Sequence, residues 1–202
     1  MLSYVGMLTR VFNTLVFAKL SDMSELKLYF YTPKNETCSV NAWVARLDGP
    51  FCHVEMQFPN GLACSIVMDS TVRLIQRSFD PEFYTGVKIK TSKDRVQAAL
   101  KLAREMTDAK VQFGFYESTT APPLSPASRT YCSKLMRDIL SQSGIMPEHF
   151  SASRILLTPS ALYRNLLRQP HVVEFDTKRS QSAVAIDIFD TYSENQSLLL
   201  NS

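Results

Sequence analysis

The chain has 202 residues, 45% hydrophobic and 20% charged, with 22 Lys and Arg against 19 Asp and Glu for a formal charge of +3. That length suits one domain with a substantial core. Only 10 Pro and 6 Gly exclude collagen-like or wholesale low-complexity chains, and so small a charge excess does not favour nucleic acid as a partner. Four cysteines (Cys38, Cys52, Cys64 and Cys132) are too few and too irregular for a disulfide scaffold, so a reducing, cytoplasmic or otherwise intracellular setting is expected. There is no phosphate-cradling glycine loop, dinucleotide-binding turn, HExxH helix or calcium loop.

Residues 1–20 (MLSYVGMLTRVFNTLVFAKL) are apolar but broken by Thr9, Arg10, Asn13, Thr14 and Lys19, so no run reaches the length of a membrane span. No basic region precedes an apolar core, as a secretory signal would require. Val5, Leu8, Phe12 and Leu15 fall at helical spacing. The expectation for 1–22 is a helix that packs on the domain, with a membrane-surface or protein contact as the alternative. Two Asn-X-Ser/Thr triplets, at 35–37 and 195–197, are taken as chance matches in the absence of a secretion signal.

Residues 26–32 (LKLYFYT) read as a strand ended by Pro33. A short helix is expected over 39–47, where Val40, Trp43, Val44 and Leu47 make one apolar face, with Trp43 expected in the core. Residues 53–58 alternate, setting Val54, Met56 and Phe58 against His53, Glu55 and Gln57. Pro59-Asn60-Gly61 is a turn signal, and 62–68 reads as the returning strand. Shorter strands are expected at 72–75 and 86–89. Residues 91–106 form the clearest helix, capped by Thr91 or Ser92, with Val96, Ala99, Leu100, Ala103 and Met106 as its apolar stripe. The Pro-rich stretch 119–129 reads as a loop. A helix follows over about 131–143 with Leu135, Met136, Ile139 and Leu140 inward and Gly144 closing it. Thr158-Pro159-Ser160 opens a last helix through Leu167. Past Pro170 no period is sustained, and 178–202 reads as a tail.

Two residues stand out chemically. Cys132 falls in the first turn of a helix, where free N–H groups and the helix dipole favour a thiolate and can meet an oxyanion. His53 opens a strand, and an imidazole near Cys132 could hold the thiolate as an ion pair and protonate a leaving group. A zinc site using Cys132, His53 and Cys64 or Cys52 is disfavoured: adjacent Cys52 and His53 point to opposite faces, and there is no CxxC pair. No metal or cofactor is expected.

The stretches 27–32, 40–47, Phe51-Cys52-His53-Val54-Glu55-Met56 and Tyr131-Cys132-Ser133-Lys134-Leu135, followed by Gly144-Ile145 and Thr158-Pro159-Ser160-Ala161-Leu162, resemble the circularly permuted NlpC/P60 hydrolases of the papain-like superfamily, the YiiX-like group. The resemblance spans 26–167, and the histidine-before-cysteine order is its mark of permutation. It implies an α+β fold, a small antiparallel sheet with the nucleophile helix packed against its histidine-bearing face, in a domain over 26–170. It implies a cysteine hydrolase (peptidase or amidase) or acyltransferase acting through an acyl-enzyme, with Cys132 as nucleophile, His53 as base and a peptide or acyl substrate. A viral or phage origin is compatible with it. The family's third polar residue normally lies on the strand after the histidine, where this chain has Leu62-Ala63-Cys64-Ser65-Ile66. Ser65 is the favoured orienting residue and Cys64 a further candidate. Glu55 shares a strand face with His53, although i and i+2 side chains stand roughly 6–7 Å apart. Tyr31 and Tyr131 are candidate oxyanion donors. The departure at the third position leaves a catalytically weakened or inactive binding module as the alternative.

Overall fold

A computed structural model of the full chain describes residues 22–34, 39–115, 128–147, 150 and 157–175. The expected N-terminal helix, most of the Pro-rich loop and the expected tail lie outside them.

The fold is mixed α+β. Six strands form one antiparallel sheet in the order β4-β3-β2-β1-β5-β8. In chain order they are β1 (Met23–Tyr31), β2 (His53–Gln57), β3 (Leu62–Ser65), β4 (Arg73–Gln76), β5 (Tyr84–Ser92) and β8 (Val172–Phe175), while β6 (Gln112–Phe113) and β7 (Arg129–Thr130) make a short parallel ribbon. The helices are α1 (Ser39–Asp48), α2 (Lys93–Asp108), α3 (Cys132–Gln142) and α4 (Pro159–Leu167). None of these is long and apolar enough to cross a membrane.

Alternation builds the sheet's two faces. Leu26, Leu28 and Phe30 of β1, Val54 and Met56 of β2, and Val87 and Ile89 of β5 join one buried cluster with the apolar residues of the helices. Tyr29, Ala63 and Phe79 form a second, smaller cluster with Tyr84 and Phe175 on the other face. The β2–β3 hairpin closes through Gly61 N–H to Phe58 O at 2.9 Å, and Gly61 takes φ +82°, which glycine adopts without steric cost. Ser92 caps α2 by accepting from Arg95 N at 3.4 Å, and the five expected residues of its stripe are buried. In α3, Leu135, Met136, Ile139 and Leu140 are fully buried, each worth about 1.5–3 kcal/mol by area removed from water. Thr158 caps α4 by accepting from Ala161 N, with Pro159 in the first turn.

Three expectations are corrected. The last strand, β8, was not foreseen. It completes the sheet beside β5, with Phe175 packed over Gly86, where a Cβ would stand 2.3 Å from the ring. Trp43 is 56% exposed rather than in the core, and Leu47 is 51% exposed. The reason is how α1 is moored: Arg164 Nη2 holds Asp48 at 2.7 and 2.8 Å and Thr158 donates to the same carboxylate, fixing α1 to α4 and leaving its apolar face on an open cleft. Finally, α3 packs in the cluster of Val54 and Met56, not against the face that carries the His53 side chain.

Candidate active site

α3 starts at Cys132 because Tyr131 is extended, at φ −135° and ψ 166°, while its carbonyl already accepts from Leu135 N at 2.8 Å. Among the described residues no side chain caps this end, and the Ser133 N–H is directed at Cys132 Sγ. The position of the sulfur follows from the sheet. β3 pairs with β2 only at Met56↔Cys64 and Gln57↔Ala63. Before Met56 the edge of β2 opens, and the Val54 N–H, not used by that ladder, turns to Cys132 Sγ.

His53 opens β2, opposite Tyr31 of β1. Its side chain shares a hydrogen bond with Cys132. Nε2 lies 3.5 Å from Glu55 Oε1, an ion-pair distance with no well-aligned hydrogen bond. Burial disfavours the charged form of both partners. For His53, the Cys132 hydrogen bond, the close Glu55 carboxylate and the opposite charges of both outweigh burial and raise the imidazole to about 9. For Cys132, the His53 hydrogen bond and charge, with the Val54 and Ser133 N–H groups, hold the thiol below its ordinary value. Both shifts favour a thiolate–imidazolium pair.

Glu55 is 1% exposed. Its Oε1 is held by Arg77 Nη1 at 2.8 Å and accepts from the Tyr84 hydroxyl at 3.4 Å. Burial, then the Glu55 charge, pushes the Tyr84 phenol up to about 12. Arg77 and Tyr84 were not singled out by sequence reasoning. Neither lies in a local motif, and only the pairing of three strands brings them to Glu55.

Of the candidate orienting residues, the structure brings Glu55 to His53. Ser65 is corrected: its hydroxyl is fully buried and makes no hydrogen bond among the described residues. Continuing the ladder from Met56↔Cys64 sets Ser65 across from Glu55, two residues short of His53. Cys64 is corrected too. It lies in the main core with Met56, and burial, followed by the Glu55 charge, pushes its thiol up to about 12. The Tyr131 hydroxyl accepts from Leu157 N at 3.1 Å and Ser133 Oγ donates to Leu157 O, so both anchor the segment ahead of α4. Tyr31 packs on Tyr84, ring centroids 5.2 Å apart, and lines the cleft.

Cys132 and His53 lie in a cleft of about 370 Å³, within the usual range for small-ligand sites. Trp43, Val44 and Leu47 of α1 form one wall, and Met68, Phe113 and Phe115 contribute to the rest of its lining. Among the described residues no group of three or more His, Cys, Asp or Glu is arranged to hold a metal ion. Comparison of the chain with family models, curated proteins and solved structures returned no match.

Proposed function

We propose that this chain is a Cys-His thiol hydrolase or acyltransferase of the circularly permuted NlpC/P60 type, acting on an amide, ester or thioester bond. The observation that carries the reading is the Cys132–His53 hydrogen bond at the cleft, with the thiol lowered and the imidazole raised. The order of the elements supports the permuted assignment, since the histidine strand precedes the cysteine helix and the two meet where β2 loses β3 as a neighbour. The apolar lining supports a substrate whose acyl part is apolar, either a hydrocarbon chain or a bulky apolar side chain of a peptide. Three free thiols among the described residues agree with a reducing compartment.

In this reading the Cys132 thiolate adds to the substrate carbonyl, forming the C–S bond and placing charge on the carbonyl oxygen. The positive end of the α3 dipole, where the sulfur sits, favours that charge. The intermediate collapses as the bond to the leaving group breaks, and His53 gives that group its proton. The resulting thioester is opened by water or another acceptor. Its proton goes to the now neutral His53, and the electron pair of the C–S bond returns to sulfur.

The test is direct. The protein is incubated with amide, ester and thioester donors carrying apolar acyl groups, and the intact mass is followed. An increment equal to the acyl group, located on Cys132, discharged by hydroxylamine and absent from Cys132→Ala, is expected. Donor turnover that persists undiminished in Cys132→Ala contradicts the reading.

A further inference from the structure

We propose that Arg77 and Tyr84 are positioning residues for His53, acting through the Glu55 carboxylate. The inference rests on the Cys-His reading above and extends its machinery to three strands. Glu55 sits mid-β2, Arg77 immediately follows β4, and Tyr84 opens β5. Their side chains close a ring. Arg77 Nη1 is 2.8 Å from Glu55 Oε1, Arg77 Nη2 donates to the Tyr84 hydroxyl at 2.9 Å, and that hydroxyl donates back to Glu55 Oε1 at 3.4 Å. The guanidinium also lies over the rings of Phe79 and Tyr84, 5.4 and 5.9 Å from their centroids. Behind it, Gln57 Nε2 donates to the Arg77 carbonyl at 2.9 Å, and the Tyr29 hydroxyl donates to Gln57 Oε1 at 3.3 Å. Arg77 is thus fixed at its backbone and at both ends of its fork.

The chemistry explains why such support matters. The charge of a buried carboxylate is costly unless a cation stands beside it. If it were neutral, it would no longer favour the imidazolium, and the thiolate of Cys132 would lose its counterion. Arg77 supplies a permanent charge at one oxygen, and that same oxygen faces His53 Nε2 at 3.5 Å. Among the described residues the titratable and charged groups near Glu55 are Tyr29 and Tyr31 on β1, Cys52 just before β2, His53 at its start, Cys64 on β3, Arg73 on β4, Arg77, Tyr84 on β5 and, through His53, Cys132 of α3. Among these, Arg77 is the cation in contact with the carboxylate that stays charged at every working pH.

The experiment is the pH dependence of Cys132 alkylation by iodoacetamide in the full chain, wild type against Arg77→Gln, in both the wild-type and the Glu55→Gln backgrounds. Arg77→Gln is expected to move the acid limb up by about one pH unit in the wild-type background and to add nothing in the Glu55→Gln background. Tyr84→Phe, which removes one hydroxyl, should move the limb the same way by less, and it serves if Arg77→Gln does not fold. An unmoved limb, or an equal movement in both backgrounds, overturns the inference. His53→Ala, run in parallel, separates the cases. If it shifts the limb and Arg77→Gln does not, the positioning role alone fails. If it shifts nothing, the Cys-His reading fails with it.

Discussion

His53 and Glu55 stand two residues apart on one strand, yet Nε2 of the first and Oε1 of the second come within 3.5 Å. Side chains at that spacing ordinarily run side by side without touching. Here the carboxylate is drawn to one point by Arg77 and Tyr84, and the imidazole leans along the strand toward it. In the proposed reading a same-strand partner thereby takes the place of one on the neighbouring strand. Glu55→Gln is expected to lower turnover at least tenfold, about 1.4 kcal/mol, and to lower the imidazole pKa read by NMR. Ser65→Ala should change turnover by less than about twofold. The reverse order of effects would return the orienting role to Ser65.

The pH dependence has a definite sign. His53 is raised from its ordinary 6.5 to about 9, so whatever its protonated form contributes to folding is fully present below 6.5 and is lost as pH rises through about 9. In the proposed reaction the same proton is the one passed to the leaving group. Turnover should therefore fall as pH rises through about 9, while alkylation of Cys132 should not fall, because the thiolate persists there. Parallel pH profiles of the two rates check this, and a fall in both would show that the high-pH loss is unfolding or another group's titration.

Trp43 is the chain's one tryptophan, and it lies exposed on the cleft wall. Its fluorescence should shift to shorter wavelength when an apolar acyl ligand displaces water from the cleft. Trp43→Ala should leave the melting temperature within about 2–4 °C of wild type, since a change of about 1 kcal/mol in a domain of this size moves it no further. It should raise KM for such substrates. A fluorescence spectrum unaltered by every bound ligand would place the substrate elsewhere.

Much of the fold was legible where local chemistry decides it. The stripes of α2 and α3 and the capped starts of α2 and α4 are set by spacing within a few turns, and the β2–β3 hairpin by Pro59-Asn60-Gly61. Features that depend on distant partners were not legible. β8 is four residues, VVEF, at the sheet edge with its two middle residues exposed, and it exists as a strand only because β5 is there to pair with it. The apolar face of α1 was read from the sequence, but whether Trp43 meets a core or an open cleft is settled by Asp48, Arg164 and Thr158, far apart in the chain. At the site, the place of Cys132 in a helix's first turn and of His53 at the start of a strand was legible. The choice between Ser65 and Glu55 was not, because it turns on Arg77 and Tyr84.

Gly86 is the point where β5 admits the ring of Phe175. Gly86→Ala should push that ring away and loosen β8, costing about 1–3 kcal/mol in denaturant unfolding. In a Phe175→Ala background the same substitution should cost markedly less, because the atoms it strikes are gone. Equal costs in the two backgrounds would mean that the close approach does not limit this position.

The central claim is that Cys132 and His53 act as one ion pair. The most direct measurement is the rate of Cys132 alkylation against pH, from mildly acidic to mildly basic, in wild type and His53→Ala. The pair predicts a wild-type acid limb below that of an ordinary thiol, and a His53→Ala limb moved upward with a much slower rate at neutral pH. Superimposable profiles in the two proteins would contradict it.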